Sequence, residues 1–458
     1  MRISVQGRTV RADGLAALLM ALLSTLALAL PATASADERP NFLHILTDDQ
    51  TIDSLRYMER TEQLLGAEGT TFTDYNVTQP LCCPSRATFL TGQYPHNHGV
   101  LDNLPPYGYG AMDFSRTLYT AMHDAGYRTG WIGKVLNGAG DEGLVPEPGF
   151  DEWLVPLRNS EHDMFNYALS DNGTEVDVSG TFQTDVYAQR AAQFLAAAGS
   201  QPFMLTVAPF NPHWTYCADG SKGVGSPGRC PPQPALQDLG TFAGTRFPFG
   251  QDFNGTRADR AETNLYWQRE LESLQSVDRM VAALVEQLRA QGELDNTYVI
   301  FQSDNGMLHG EHGIFDKNVA WDRSVRVPLV IRGPGFAAGA TRKDLTANVD
   351  VPATILSAAQ VTPPLPLDGW SLLGEHRRRV LLLERPYGSN SRLQQPWRQI
   401  KTAKGWTYWR DLLTRRRHLY DLNRDPWQVH NRVRRKPDLA RRLQRRLSRI
   451  ADCSARCP

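Results

Sequence analysis

Two spacings of apolar residues alternate along this chain. Asn41–Thr47, residues 203–207 and Thr297–Ser303 are short, nearly unbroken apolar runs. Runs of that length suit strands buried on both faces, as in parallel sheets. Residues 127–134 read the same way and close on Lys134. Between these runs lie segments with helical spacing: residues 117–126, the alanine-rich 184–198 and the long 260–290. In the last, Leu265, Leu271, Leu274, Val277, Val281, Leu284 and Leu288 form one stripe, which predicts a helix packed on the sheet. Residues 350–356 read as a capped helix start. Strands alternating with helices predict an α/β fold.

Residues 138–180 are rich in Gly, Asp, Asn and Pro with weak periodicity, and are expected to be long loops. Residues 216–255 read as a Gly/Pro-rich lid or pocket wall. After Leu373 the texture changes. Short strands are expected at 380–384, Trp397–Thr402, 406–409 and 418–422, forming a small antiparallel sheet. A final helix carries Leu439, Leu443, Leu447 and Ile450 on one side and arginines on the other; such a basic side can attract sulfated polyanions, and a solvated face is the default reading.

Composition narrows the class. The 458 residues hold 41% hydrophobic and 21% charged positions, ordinary for a globular protein. Lys and Arg balance Asp and Glu at 49 each, which argues against wholesale nucleic-acid binding. The balance hides an arginine-dense region after Arg377. At the other end, Arg2, Arg8 and Arg11 precede an apolar run over 15–30 and the small residues Ala34-Ser35-Ala36. This is the pattern of an export signal, residues 1–36, removed before Asp37. No later stretch is apolar enough to span a bilayer.

Candidate chemistry sits at strand ends. Asp48-Asp49 follow one buried strand and Asp304-Asn305 another. Ligands bind at the C-terminal ends of strands in open α/β sheets. Adjacent buried acids are costly unless a cation joins them. Four hard oxygen donors without thiolate or imidazole suit Ca²⁺ or Mg²⁺ better than zinc. Residues 81–99 supply the other half. Pro84 suits a first helical turn, so Cys82 would lie at the helix end that favours an anion. Arg86, one turn on, would face the same side. His213 follows another strand in a proline-rich loop.

Cys82, Pro84, Ser85, Arg86, Leu90, Thr91 and Gly92 match, without a gap, the motif of the type I, formylglycine-dependent sulfatases, and the chain resembles that family from about Asn41 to Asn431. The resemblance implies an alkaline-phosphatase-like fold: a large mixed sheet sandwiched by helices, with a smaller C-terminal antiparallel-sheet subdomain. It implies a catalytic domain over 37–375 and that subdomain over 376–458. Cys82 would be converted to formylglycine by a formylglycine-generating enzyme. Asp48, Asp49, Cys82, Asp304 and Asn305 would hold one Ca²⁺. Arg86, Lys134, Lys317 and His213 would contact the sulfate or the leaving oxygen. Many sulfatases place a histidine two residues after the first lysine, where this chain has Leu136. His312, or His309, is a candidate to cover that work, and the base for sulfate release stays open.

The run Gly133-Lys134-Val135-Leu136-Asn137 and the double cysteine Cys82-Cys83 are similar to the N-acetylglucosamine-6-sulfatase subgroup. The implied activity is hydrolysis of a sulfate ester, 6-sulfated glucosamine or an aryl sulfate, on a small molecule or glycan outside the cytoplasm. The alternative within the superfamily is a phosphomonoester or phosphodiester hydrolase. Six cysteines fit an exported protein. With Cys82 set aside by the motif, Cys217 could pair with Cys230 and Cys453 with Cys457, leaving Cys83.

Overall fold

The computed structural model describes Gly7 and residues 39–139, 144–217, 229–374, 378–386 and 395–457. Apart from Gly7, the expected export signal therefore lies outside the described residues. Residues 39–458 form one compact unit.

Its frame is a ten-stranded mixed sheet. In chain order the strands are β1 (Asn41–Thr47), β2 (Thr70–Phe72), β3 (Arg128–Gly133), β4 (Glu152–Pro156), β5 (Asn166–Asp171), β6 (Thr174–Ser179), β7 (Phe203–Ala208), β8 (Thr297–Ser303), β9 (Leu329–Arg332) and β10 (Ala340–Arg342). Their spatial order is β10-β2-β9-β8-β1-β7-β3-β4-β5-β6. The five central strands, β8-β1-β7-β3-β4, run parallel. They are the near-continuous apolar runs of the sequence, because both faces are covered. Alternate residues of β1 show this. Phe42 and Leu46 enter a core with helices α1 (Cys82–Thr91), α2 (Leu118–Asp124) and α5 (Asp350–Ala359). Leu43 and Ile45 enter the opposite core with α3 (Gln183–Ala198) and α4 (Arg257–Gln291). The stripe of α4 is buried from Leu271 to Leu288, but Leu265 is exposed. Its turn of the helix lies near the N-terminus, before the apolar face meets the sheet.

Residues 138–180 depart from expectation. They contain β4, β5 and β6, which extend the sheet. β5 and β6 form a hairpin closed by Asn172 and Gly173, both at positive φ. Asn-Gly is a preferred two-residue hairpin turn because both residues tolerate that conformation. β6 is mostly exposed, and only Val176 and Val178, alternating with Glu175 and Asp177, mark it in the sequence. Glu175 and Asp177 charge this edge strand, as edges that resist pairing usually are.

The C-terminal sheet is antiparallel: β11 (Val380–Arg385), β12 (Trp397–Thr402), β13 (Trp406–Asp411) and β14 (Arg417–Asp421). Helix α6 (Pro437–Ile450) packs on it through Leu443, Leu447 and Ile450. Cys217–Cys230 and Cys453–Cys457 are disulfides, and Cys82 and Cys83 are free. No helix among the described residues is long and apolar enough to cross a membrane.

Candidate active site

Four adjacent parallel strands, β8, β1, β7 and β3, end side by side. The residues leaving them therefore meet in one small volume. Asp48 and Asp49 leave β1, Asp304 and Asn305 leave β8, Lys134 leaves β3, and His213 lies five residues past β7. The backbone fixes this convergence. Asp48 N–H donates to Asn211 O at 3.1 Å, Asp304 N–H to Thr47 O at 3.0 Å and Lys134 N–H to Ala208 O at 2.9 Å. Gly133, at φ 101°, makes the last turn before Lys134. A Cβ there would lie 2.2 Å from Ala208 O, so only glycine lets the chain close on β7. Asp49 also has positive φ, 64°. Asp tolerates that conformation better than most side chains do.

Helix α1 brings Cys82 and Arg86. Leu81 is its N-cap and Gly92, at φ 69°, ends it. Every residue of α1 is buried, which is unusual for a short helix and places Arg86 wholly inside the protein. The guanidinium donates from Nε to Asp304 Oδ2 at 2.8 Å, from Nη2 to Asp48 Oδ2 at 3.2 Å and from Nη1 to Lys134 O at 2.5 Å. It thereby ties three strand ends together. Around Cys82 the charge is mixed. Its Sγ lies 3.0 Å from Lys317 Nζ, 3.5 Å from Lys134 Nζ and 3.7 Å from Asp48 Oδ1. Lys134 Nζ is also 2.5 Å from Asp48 Oδ2, and Lys317 Nζ pairs with Asp49 Oδ1.

Burial pushes the Cys82 thiol up to about 11, with Asp48 adding to the shift and the two lysines opposing it. The unmodified side chain is thus a neutral thiol at neutral pH. Burial alone would raise Asp48. Lys134, His213, Arg86 and Lys317 outweigh it and hold the carboxyl far below its ordinary range. Burial would likewise lower Lys317, but Asp49, Cys82, Asp48 and Asp304 keep it well above the usual lysine range.

Asp48, Asp49, Cys82 and His213 are all buried, and their donor atoms lie within 4.8 Å of one another. Asn305 Nδ2 donates to Asp49 Oδ1 at 2.6 Å, and Asp49 N–H donates to Asp304 Oδ1 at 3.2 Å. Two buried oxygens at this spot, Asp49 Oδ2 and Asn305 Oδ1, accept no hydrogen bond among the described residues. Buried oxygens without donors are costly, and a hard cation satisfies them. The donor set, three carboxylates and an amide oxygen, fits such a cation.

His213 Nδ1 lies 2.9 Å from Trp214 O, which can only accept, so Nδ1 carries the proton. Its Nε2 faces Asp49 Oδ2 at 3.5 Å. The structure thus brings Asp48, Asp49, Cys82, Arg86, Lys134, His213, Asp304, Asn305 and Lys317 together. His312 lies apart. Its ring stacks on Trp321 with centroids 3.5 Å apart, and its Nε2 faces Asp252 Oδ2 at 3.6 Å. His309 is buried with Nε2 2.9 Å from Glu270 Oε2.

Sequence reasoning passed over two neighbours of His213. His162 packs edge-on against it with centroids 5.2 Å apart, and Phe210 lies 4.9 Å beneath Lys134 Nζ. Burial, with His213 and Lys134 adding to it, pushes His162 down to about 2. Phe210 could have been found beside His213 in the sequence. His162 sits in the segment read as loops, and nothing local marks it.

The family described as Sulfatase matches residues 40–361, and N-sulphoglucosamine sulphohydrolase, C-terminal, matches residues 310–452. The Homo sapiens protein N-acetylglucosamine-6-sulfatase is 34% identical over 377 residues, 74% of this chain and 65% of that protein. The Drosophila melanogaster extracellular sulfatase SULF-1 homolog is 33% identical over 373 residues, 74% of this chain and 31% of that protein. The chain thus spans less than two thirds of the length of either relative. Among solved structures, one in complex with its substrate D-glucosamine-2-N,6-O-disulfate superposes with a TM-score of 0.74 at 22% identity. The match covers 90% of this chain and 96% of that one.

Proposed function

This chain belongs to the sulfatase family, and from that premise we propose that it is an exported sulfuric ester hydrolase acting on a sulfated small molecule or glycan. The observation that carries the reading is the packing of Lys134 and Lys317 against Cys82, beside Asp48, Asp49, Asp304 and Asn305, two of whose carboxylates Arg86 ties together. Likeness to N-acetylglucosamine-6-sulfatases supports a 6-sulfated glucosamine, with aryl sulfates as simpler substrates. We assign catalysis to residues 37–375 and a supporting role to residues 376–458. The two disulfides support an oxidising compartment outside the cytoplasm.

Sulfate esters resist attack because negative oxygens shield the sulfur. The site must therefore gather positive charge first. Lys134 and Lys317 flank residue 82 and would take the sulfate oxygens. Arg86 is spent on Asp48, Asp304 and a carbonyl, so its part is to hold the metal-side carboxylates in place. Asp48, Asp49, Asp304 and Asn305 would hold Ca²⁺, which when bound supplies charge that lowers the pKa of the attacking hydroxyl. Converted to formylglycine, residue 82 supplies a hydrated aldehyde: one hydroxyl for attack on sulfur, and a second whose proton loss frees sulfate as the carbonyl returns. Lys317 stands close enough to residue 82 to protonate the leaving alcohol oxygen. His213 turns the lone pair of Nε2 to the site, and burial, with Lys134 and Lys317 adding to it, keeps the imidazole neutral, which suits it to accept a hydrogen bond from the departing alcohol.

Cys82→Ala tests the reading. Release of sulfate from 4-nitrophenyl sulfate should vanish while the circular dichroism spectrum is unchanged. Full turnover by this variant would refute the assignment, and faster turnover of 4-nitrophenyl phosphate by the wild type would favour a phosphoester hydrolase.

A further inference from the structure

Helix α6 and the sheet beneath it form a groove of about 1270 Å³. Its helix side is built from Arg442, Arg445, Arg446 and Arg449. These recur at three- and four-residue steps and so share one face. Arg379, Lys404 and the half-buried Trp406 line the other side. Among the described residues no acidic side chain lines the groove. Among the described residues none of these six cations forms an ion pair. The acid of α6, Asp438, is taken by Arg441, and Asp452 pairs with Arg398 at 3.0 Å.

Such a face opposes helix stability. Like charges three and four residues apart on a helix repel one another. The whole chain has no net charge, so its composition does not require the concentration. A multivalent anion would convert the repulsion into binding. Planar guanidinium forks match tetrahedral oxyanions in two-point contact. Trp406 adds an apolar ring beside the cations, a surface suited to the C–H face of a sugar. The four arginines span about 10 Å along the helix, at 1.5 Å per residue. That spread needs a ligand with several anionic groups on one chain.

We propose that this groove is an exosite for a linear polysulfated glycan, holding the polymer whose sulfate esters the catalytic site removes. The choice of glycan over other polyanions rests on the hydrolase reading above. The test uses the full chain and a quadruple variant, Arg442→Ala with Arg445→Ala, Arg446→Ala and Arg449→Ala. These side chains are exposed, so the fold should persist. A heparin dodecasaccharide is the probe in a fluorescence-anisotropy titration, and 4-nitrophenyl sulfate reports catalysis separately. The variant should bind the dodecasaccharide about tenfold or more weakly. Its turnover of 4-nitrophenyl sulfate should equal that of the wild type. Equal affinity in the two proteins overturns the proposal. So does wild-type binding of single-stranded DNA or phosphatidylserine vesicles as tight as that of the dodecasaccharide. Intact binding with no turnover in either protein would instead strike the hydrolase reading and leave the groove standing.

Discussion

Replacing Arg86 by Met removes the charge that joins three strand ends while nearly conserving volume. In the native protein this side chain has no exposure. Its donors serve Asp304, Asp48 and the Lys134 carbonyl. Lys134 still pairs with Asp48 after the change, at 2.5 Å, so Asp304 is the group left most exposed to the loss. Removing one partner of a buried ion pair costs about 3–5 kcal/mol, because the other charge stays buried and unpaired. Residues 39–458 number 420. At about 2.1 cal/mol/K per residue, the unfolding entropy at the midpoint is about 0.9 kcal/mol/K. The loss then lowers Tm by about 3–6 °C, measured by differential scanning calorimetry in calcium-free buffer. Arg86→Lys keeps a charge but not the planar fork, so its Tm should fall less. A methionine variant within about 1 °C of the wild type, or a lysine variant less stable than the methionine one, would refute the account of Arg86 as the tie between strands.

Other outcomes follow from single positions. Gly133→Ala should reduce stability by about 1–3 kcal/mol in urea denaturation, through the clash with Ala208 O and the positive φ. It should also lower sulfate release, because Lys134 is the next residue. His44 is buried between Thr206 and Gln302, and burial, with Arg86 adding to it, lowers its pKa from 6.5 to about 3. A depressed folded-state pKa means that the unfolded chain binds the proton first. The stabilisation is whole above pH 6.5 and is lost as pH falls toward 3. His44→Asn should flatten the stability–pH curve in that window by up to about 1.4 kcal/mol per pH unit. An unchanged slope in urea midpoints across that range would count against it.

The chain by itself determined the class of fold and named most of the residues that the structure brings together. β1 and β8 announced themselves because strands covered on both faces must be apolar throughout, and the acids that follow them stand out for the same reason. The cysteine motif lies within one helix, so its relative placement is local and legible. The disulfide partners were within reach because each pair is close in sequence. Tertiary structure alone decided the rest. β6 carries only a short alternation, Val176 and Val178 between Glu175 and Asp177, because most of its residues face solvent, and the Asn172-Gly173 turn is the stronger mark of the hairpin. Leu265 fits the stripe of α4 yet finds no sheet to pack against. His312 and His213 look alike as loop histidines. What separates them is strand order: His213 follows a strand set between β1 and β3, whereas His312 belongs to a turn held by Asp252 and Trp321. Which residues meet at a site depends on contacts between segments remote in sequence, and side-chain spacing along one segment carries no record of them.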